Sequence, residues 1–207
     1  VTGFDVAPPR RSREASGGTF LRGSVTDYAA LKGACQGIDV VFATVAVIRY
    51  YERLAWQYAD SHAVNVTGTA NIVRACIECG VQVLVQTSSS NVCIAQGMTS
   101  MSMDELSPYV DASNSPNHYG WTKVQAERAV LEAHGAELPS SRGRLAAAVV
   151  RPCSAIFGPG DNFITQKFLD SGRIIEMVAE AKIDYVFNEN VVWGHLLLEK
   201  HLLSDPG

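Results

Sequence analysis

The stretch VQVLVQTSSS, residues Val81–Ser90, decides the fold class of this 207-residue chain. It begins as a continuous apolar run and ends in hydroxyl side chains. A short run of this kind is typical of a strand buried on both faces of a parallel sheet. Ligands of such sheets bind at the carboxyl ends of the strands. We therefore expect the hydroxyl cluster Thr87–Ser90 at a binding site.

Sequence patterns typical of helices precede and follow this strand along the chain. SHAVNVTGTANIVRACIECG (Ser61–Gly80) predicts a long helix that stops at its glycine, because glycine readily adopts the left-handed conformation that ends helices. A second helix is predicted around Tyr119–His134. DVVFATVAV (Asp39–Val47) predicts a strand buried on both faces, and GRLAAAVVRP (Gly143–Pro152) predicts another. Strands that alternate with helices indicate an α/β fold with a parallel sheet and right-handed crossovers.

Both ends of the chain add smaller elements. At the start, two short strands (Val1–Val6 and Thr19–Val25) precede a helix that Thr26 or Asp27 can cap and that ends near Gly37. Towards the end we expect a helix near Asn162–Ser171, a strand near Ile183–Phe187 and a closing helix over ENVVWGHLLLEKHLL (Glu189–Leu203).

Composition excludes several classes of function. The net charge is −4 and no basic stripe with interleaved aromatic residues is present, so nucleic acid is not an expected partner. The longest apolar run, Ile38–Ile48, is too short to cross a bilayer, and no targeting segment is visible. Cys76 and Cys79 form a single C-x-x-C pair without the further ligands of a zinc site, so we interpret them as ordinary helix residues and expect no metal.

The stretch NHYGWTKVQAE (Asn117–Glu127) carries a tyrosine and a lysine four residues apart. On a helix, Tyr119 and Lys123 would lie on one face. An ammonium group beside a phenol favours the phenolate and lowers the pKa of the tyrosine. The pair can therefore act in proton transfer. The spacing alone is weak evidence, because many surface helices contain it.

Four further motifs accompany this pair: LVQTSSSNV (Leu84–Val92), NVTGTANIVRAC (Asn65–Cys76), VVRPCSAIFGPGD (Val149–Asp161) and FNENVVWGHLLLEKHL (Phe187–Leu202). In this order and spacing they resemble the extended short-chain dehydrogenase/reductase superfamily. The closing motif and the opening GFDVAPP are most similar to its 3β-hydroxysteroid dehydrogenase branch, which includes sterol-4α-carboxylate 3-dehydrogenases. The resemblance covers nearly the whole chain.

The resemblance implies a catalytic set of three residues. Tyr119 would exchange a proton with the substrate oxygen, and Lys123 would lower the pKa of Tyr119 and hydrogen-bond the nicotinamide ribose. Ser89 would polarise the substrate oxygen, with Ser88 and Ser90 as alternatives. The implied reaction is the oxidation of a 3β-hydroxyl group of a steroid or sterol, with hydride passing to the nicotinamide.

The resemblance also implies a set of cofactor-binding residues. Asp5 would accept hydrogen bonds from the adenosine ribose, which favours NAD over NADP, although Arg10 and Arg11 could hold a 2′-phosphate. The remaining cofactor contacts would come from Ser24 and Val25 against the adenine, from Thr44 and Val45 on the facing strand, and from Pro152 and Ser154 beside the nicotinamide.

The implied architecture is a Rossmann-like doubly wound parallel sheet. We expect an NAD-binding domain over residues 1–157, incomplete at its N-terminus because the glycine-rich phosphate-binding loop and the first strand have no counterpart here. Residues 158–207 would form part of a small substrate-binding lobe. Membrane association of a longer parent protein, a homodimer, and a location in the cytoplasm or at the endoplasmic reticulum stay open.

Two other functions also stay open. One keeps the fold and changes the substrate, as in sugar-nucleotide epimerases and dehydratases or other extended short-chain reductases. The other is a truncated, non-catalytic relic or binding protein, which the missing glycine-rich loop would favour.

Overall fold

The computed structural model describes residues 1–8, 18–98, 102–139, 142–153, 155–161, 169–172 and 184–205. The described strands are β1 (Thr2–Asp5), β2 (Thr19–Arg22), β3 (Val40–Ala43), β4 (Val83–Thr87), β5 (Ala146–Val150), β6 (Ala155–Phe157) and β7 (Tyr185–Phe187). The described helices are α1 (Tyr28–Ala34), α2 (Ala59–His62), α3 (Gly68–Cys79), α4 (His118–Glu132) and α5 (Asn188–Ser204).

All pairings between these strands are parallel. β4 lies between β3 and β5 in a three-stranded sheet, whereas β1 pairs with β2 and β6 pairs with β7 in two separate pairs. A helix follows β2, β3 and β4 before the next strand begins, as parallel pairing requires. The predicted α/β fold with parallel strands is therefore confirmed.

β4 is the centre of the core. Leu84 packs on one face with side chains of α3 and α4, among them Ile72 and Val130. Val83 and Val85 point to the opposite face, where they pack with Leu202 of α5. Burying each of these side chains stabilises the fold by roughly 1.5–3 kcal/mol. The continuous apolar run that predicted a strand buried on both faces therefore has helices on both faces.

The predicted long strand Asp39–Val47 is wrong in both length and burial. The strand covers only Val40–Ala43, and its pairing with β4 ends where Ala43 meets Gln86. Within it only Ala43 is buried, and Phe42 is 39% exposed. The lower burial fits a strand whose described hydrogen-bonding neighbour is β4 alone. Beyond Ala43 the chain forms a loop, in which the Asn65 side chain bonds the backbone N–H and carbonyl of Val47.

The helix predicted over Ser61–Gly80 is present but is not uniform. A π-helical segment, Ala63–Thr67, separates α2 from α3. Gly80 ends α3 with φ 74° in the left-handed region, which confirms the predicted stop. Such π segments accommodate an extra residue and occur often at functional sites.

The C-terminal part combines β6, β7 and α5. β7 leads directly into α5, whose buried His195 and Leu202 face the three-stranded sheet. The predicted helix near Asn162–Ser171 lies mostly outside the described residues, and the division at residue 157 stays a prediction. In the described part of the chain, no helix has the length and apolar character needed to cross a membrane.

Candidate active site

The carboxyl end of β4 carries the hydroxyl cluster next to the end of β5. Ser88 donates its backbone N–H to the carbonyl of Val150 at 2.7 Å, and Ser90 donates its backbone N–H to Pro152 at 2.9 Å. A short 3-10 turn then begins, with Ser89 as its N-cap. These bonds extend the β4–β5 pairing past the end of the strand and fix the position of Ser89 between them.

Helix α4 delivers the tyrosine and the lysine to this edge of the sheet. The Asn117 side chain caps the helix by accepting the backbone N–H of Gly120 at 2.8 Å. A side chain at Gly120 would meet the backbone oxygen of Asn91 at 3.1 Å, so the first turn of α4 approaches the loop after β4 closely. Tyr119 and Lys123 are only 5% and 2% exposed, and both face inwards from α4.

Tyr119 and Ser89 meet in this structure. Burial, with a smaller contribution from the nearby phenol of Tyr50, raises the pKa of Tyr119 to about 12, although the Ser89 hydroxyl acts in the opposite direction. Lys123 is not among the described groups that shift the pKa of Tyr119. The expectation that Lys123 lowers this pKa is therefore wrong for the arrangement seen here, because desolvation of the phenol dominates.

The Lys123 ammonium group donates to the backbone carbonyl of Thr87 at 2.6 Å. Burial lowers the pKa of Lys123 to about 8, and the negative charge of Glu127 opposes that shift. The lysine thus ties α4 to the end of β4 and carries a charge that burial makes costly.

Replacing Lys123 with methionine is expected to change how stability depends on pH. Between about pH 8 and the ordinary value of 10.5, only the unfolded state keeps the proton of Lys123, so the stability of the native protein rises with pH. The difference between the free energies of unfolding of the unsubstituted protein and of Lys123→Met should therefore increase by up to about 3 kcal/mol from about pH 8 to pH 10.5. Urea titrations at a series of pH values measure it, with exposed Lys200→Met as the control. An equal difference at every pH would contradict the prediction.

Glu127 is the main residue that the sequence analysis missed. It is fully buried one helical turn beyond Lys123. Its carboxylate accepts hydrogen bonds from Ser88 Oγ, from Tyr109 at 2.7 Å, and from Arg151 at 2.6 and 2.9 Å. Glu127 therefore joins α4 to the ends of β4 and β5. The sequence contains a signal for Glu127, because Tyr119, Lys123 and Glu127 are spaced four residues apart and so lie on one face of a helix.

Asn65 and Tyr50 were also missed as site residues. The Asn65 side chain sits in the π segment, where it accepts from the backbone N–H of Val47 at 2.7 Å and donates to the Val47 carbonyl at 3.0 Å. It also donates to Thr122 of α4 at 3.0 Å. Tyr50, three residues after Val47, places its ring edge-on to Tyr119 with centroids 5.4 Å apart. An asparagine inside a helical pattern was the available signal, because its amide competes with helix bonding.

The predicted cofactor residues divide into two groups. Asp5 ends β1 with an exposed carboxylate that accepts from the backbone N–H of Ala7, and the hydroxyl of Ser24 bonds Thr26 after β2. Val25 is buried in the core against Gly68. The second group lies at the carboxyl edge of the three-stranded sheet: Thr44 is exposed, Val45 packs on the core and Pro152 is buried beside Ser90. Ser154 lies outside the described residues.

Cofactor binding by these residues stays a prediction. Of the ten predicted site residues, the structure brings Ser89, Tyr119 and Lys123 together, with Pro152 next to them through Ser90. Among the residues the structure describes, no group of three or more histidine, cysteine or acidic side chains could hold a metal ion.

Comparisons with known proteins identify the family of the chain and support its fold. Residues 6–206 match the sequence model of the 3-beta hydroxysteroid dehydrogenase/isomerase family. The chain is 36% identical over 193 residues to the 3 beta-hydroxysteroid dehydrogenase/Delta 5-->4-isomerase of Mycobacterium tuberculosis, covering 89% of this chain and 50% of that protein. It is 32% identical over 191 residues to the bovine (Bos taurus) sterol-4-alpha-carboxylate 3-dehydrogenase, decarboxylating, covering 90% and 50%. The chain thus spans about half the length of the curated relatives it matches.

Solved structures show the same fold. MoeE5 in complex with UDP-glucuronic acid and NAD matches with a TM-score of 0.70 and 26% identity, covering 96% of this chain and 63% of that one. DesIV, a dTDP-glucose 4,6-dehydratase from Streptomyces venezuelae solved with NAD, matches with a TM-score of 0.71 at 19% identity, covering 95% and 61%, which supports the fold alone. The family match covers nearly the whole chain and includes the strand ends and the helix that form this site. The chain belongs to the 3-beta hydroxysteroid dehydrogenase/isomerase family, as the resemblance of its motifs predicted.

Proposed function

We propose that this chain is the part of an enzyme that oxidises the 3β-hydroxyl group of a steroid or sterol to a ketone with NAD. The observation that carries the proposal is the buried contact of Ser89 with Tyr119, one helical turn from Lys123, at the carboxyl end of β4. Family membership supports it, and the relatives named for 3β-hydroxysteroid and sterol dehydrogenase activity supply the substrate class.

The roles of the three side chains follow from their chemistry. The Ser89 hydroxyl lowers the pKa of Tyr119, as a donor to the phenolic oxygen does, and a substrate oxygen between the two residues would receive the same donation. Tyr119 would take the proton of the substrate hydroxyl as the carbonyl forms. Lys123 lies one turn away, and its ammonium group would favour the phenolate if it turned from the Thr87 carbonyl towards the phenol. The overall change converts an alcohol and NAD⁺ into a ketone, NADH and a proton.

The residues present are compatible with NAD. When bound, the cofactor would supply the hydride acceptor. Asp5 has an exposed carboxylate at the end of a parallel strand, the position where ribose hydroxyls are bound in doubly wound sheets, and a carboxylate there disfavours a 2′-phosphate. The parallel groups β1–β2 and β3–β4–β5 fit the two parts of such a Rossmann-like sheet. The same proposal includes a location in the cytoplasm or at the endoplasmic reticulum, where sterol substrates occur, and a homodimer.

A second candidate is a sugar-nucleotide epimerase or dehydratase. The observation that favours it is the match to MoeE5 in complex with UDP-glucuronic acid and NAD. This candidate keeps the fold and the cofactor, but it changes the substrate to a sugar nucleotide and returns the hydride to that substrate within each turnover.

The test is a turnover assay with purified protein and a matched pair of cofactors. Formation of NADH is followed with a panel of 3β-hydroxysteroids and sterols, and with NADP in place of NAD. Conversion of UDP-glucose and UDP-glucuronic acid is followed by chromatography of the sugar nucleotides, because epimerases and dehydratases re-oxidise the NADH they form and release none. We expect turnover of 3β-hydroxyl substrates and a preference for NAD. Turnover of the sugar nucleotides without any sterol oxidation would support the second candidate, and absence of turnover with every substrate would overturn both.

A further inference from the structure

The oxygen atom of Ser89 is held by a single neighbouring residue. It accepts the backbone N–H of Asn91 at 3.2 Å and the side-chain amide N–H of Asn91 at 2.9 Å. Both residues are buried, so these bonds do not compete with solvent. Asn91 is not one of the three catalytic residues, Ser89, Tyr119 and Lys123.

These two bonds fix the direction in which Ser89 donates. A hydroxyl group has one proton and two acceptor lone pairs. Asn91 occupies both lone pairs of the Ser89 oxygen, so the Ser89 hydroxyl proton must be donated to a residue other than Asn91. Tyr119 is the partner we assign to this proton, because it is buried at the same strand end and the Ser89 hydroxyl lowers its pKa. Asn91 therefore makes Ser89 a donor towards the reacting oxygen and prevents it from acting as an acceptor there.

Asn91 is itself held by Tyr50. The Tyr50 ring packs edge-on against Tyr119 with centroids 5.4 Å apart, and the Asn91 side chain, as a hydrogen-bond partner, opposes the rise that burial causes in the pKa of Tyr50. The loop that carries Tyr50 is anchored by the paired bonds between Val47 and Asn65. The Asn91 amide is thus restrained from both sides, by Ser89 and by a tyrosine on an anchored loop.

We propose that Asn91 is a positioning residue that fixes Ser89 as a hydrogen-bond donor to the reacting oxygen, and that Tyr50 holds Asn91 in that orientation. This inference rests on the proposed function for its kinetic consequence, but its structural consequence is independent of turnover. A donor fixed before the reaction stabilises developing negative charge without reorganisation.

The experiment compares Asn91→Ala with Asn91→Asp. The alanine variant frees one lone pair of Ser89. The aspartate variant keeps the shape of the side chain but presents an acceptor, so Ser89 would turn its proton away from Tyr119. Two readouts are used: steady-state kinetics with NAD and a 3β-hydroxysteroid, and the ¹³Cζ resonance of Tyr119 at neutral pH in protein labelled at its tyrosines. Tyr119→Phe assigns the resonance. Asn114→Ala, which removes an exposed amide that accepts from the Asp111 backbone, is the matched control.

We expect the Tyr119 resonance to move in both Asn91 variants and to stay in place in the control. Loss of one oriented hydrogen bond should lower kcat about tenfold in Asn91→Ala with KM little changed. The loss should be larger in Asn91→Asp. Tyr50→Phe should lower kcat in the same direction but less, against exposed Tyr51→Phe as its control. The order of the two Asn91 variants separates positioning from packing, because aspartate preserves volume better than alanine.

An unchanged Tyr119 resonance in both Asn91 variants would overturn the inference. So would a kcat for Asn91→Asp equal to that of the Asn114→Ala control. If the unmodified protein oxidises no steroid, the proposed function fails, but the resonance still decides whether Asn91 sets the donation from Ser89 to Tyr119. If the aspartate variant does not fold, the Tyr119 resonance in Asn91→Ala still decides, since an unchanged resonance there would overturn the inference.

Discussion

Replacing Tyr119 with phenylalanine is expected to lower kcat for oxidation of a 3β-hydroxysteroid by about two to four orders of magnitude. The substitution removes only the phenolic oxygen, which is the group that would accept the proton of the substrate. The ring would still fill the buried space beside Tyr50, so the fold and the edge-on ring contact should persist. The measurement is kcat and KM with NAD, together with the melting temperature of each variant.

The control for this prediction is Tyr51→Phe, which removes the same oxygen from an exposed ring in the same loop as Tyr50. That variant should keep kcat within about a factor of two, because a surface hydroxyl contributes little to either stability or chemistry. A Tyr119→Phe variant that retains most of its kcat would mean that another group accepts the proton, and the mechanism proposed for this site would be abandoned.

Replacing Glu127 with alanine is expected to destabilise the protein by about 3–5 kcal/mol, because it breaks a buried ion pair from one side only. Arg151 would lose its carboxylate partner while it stays largely buried, and Tyr109 and Ser88 would lose their acceptor. The three groups belong to three different segments, so the loss would loosen the ends of β4 and β5 together. Urea unfolding, with the slope of the transition compared between variants, measures the change.

Glu137→Ala is the matched comparison for Glu127→Ala. Glu137 pairs with Arg144 at 3.4 Å, but both side chains are mostly exposed. Exposed pairs of this kind contribute little to stability, so no measurable change is expected there. Equal stability of the Glu127→Ala and native proteins would show that the buried network around Arg151 is not needed to hold the strand ends.

Local features of the site were predictable because they depend on neighbours in the sequence. The apolar run before Thr87 predicted a strand, and the pattern around Tyr119–His134 predicted a helix, and the structure has both. The helical repeat then placed Tyr119 and Lys123 on one face without any knowledge of the fold. The motifs around them identified the family, which the match over residues 6–206 confirms.

The environment of those residues depended on segments far apart in the chain. The sequence analysis placed a lysine next to a tyrosine and expected a lowered pKa for Tyr119. In the structure Lys123 turns to the Thr87 carbonyl, and burial raises the pKa of Tyr119 instead. Desolvation depends on everything packed around a group, so helical spacing could not predict its sign.

The sequence by itself determined the strand β4, the helix α4 and the three side chains of the candidate catalytic set, since these follow from local periodicity and recognisable motifs. Tertiary structure decided how long β3 is, that Glu127 bridges α4 to both strand ends, and that Asn91 leaves Ser89 only a donor role. The physical reason is that strand pairing, burial and the saturation of hydrogen-bonding atoms all depend on partners that are distant in sequence or on backbone geometry that packing sets.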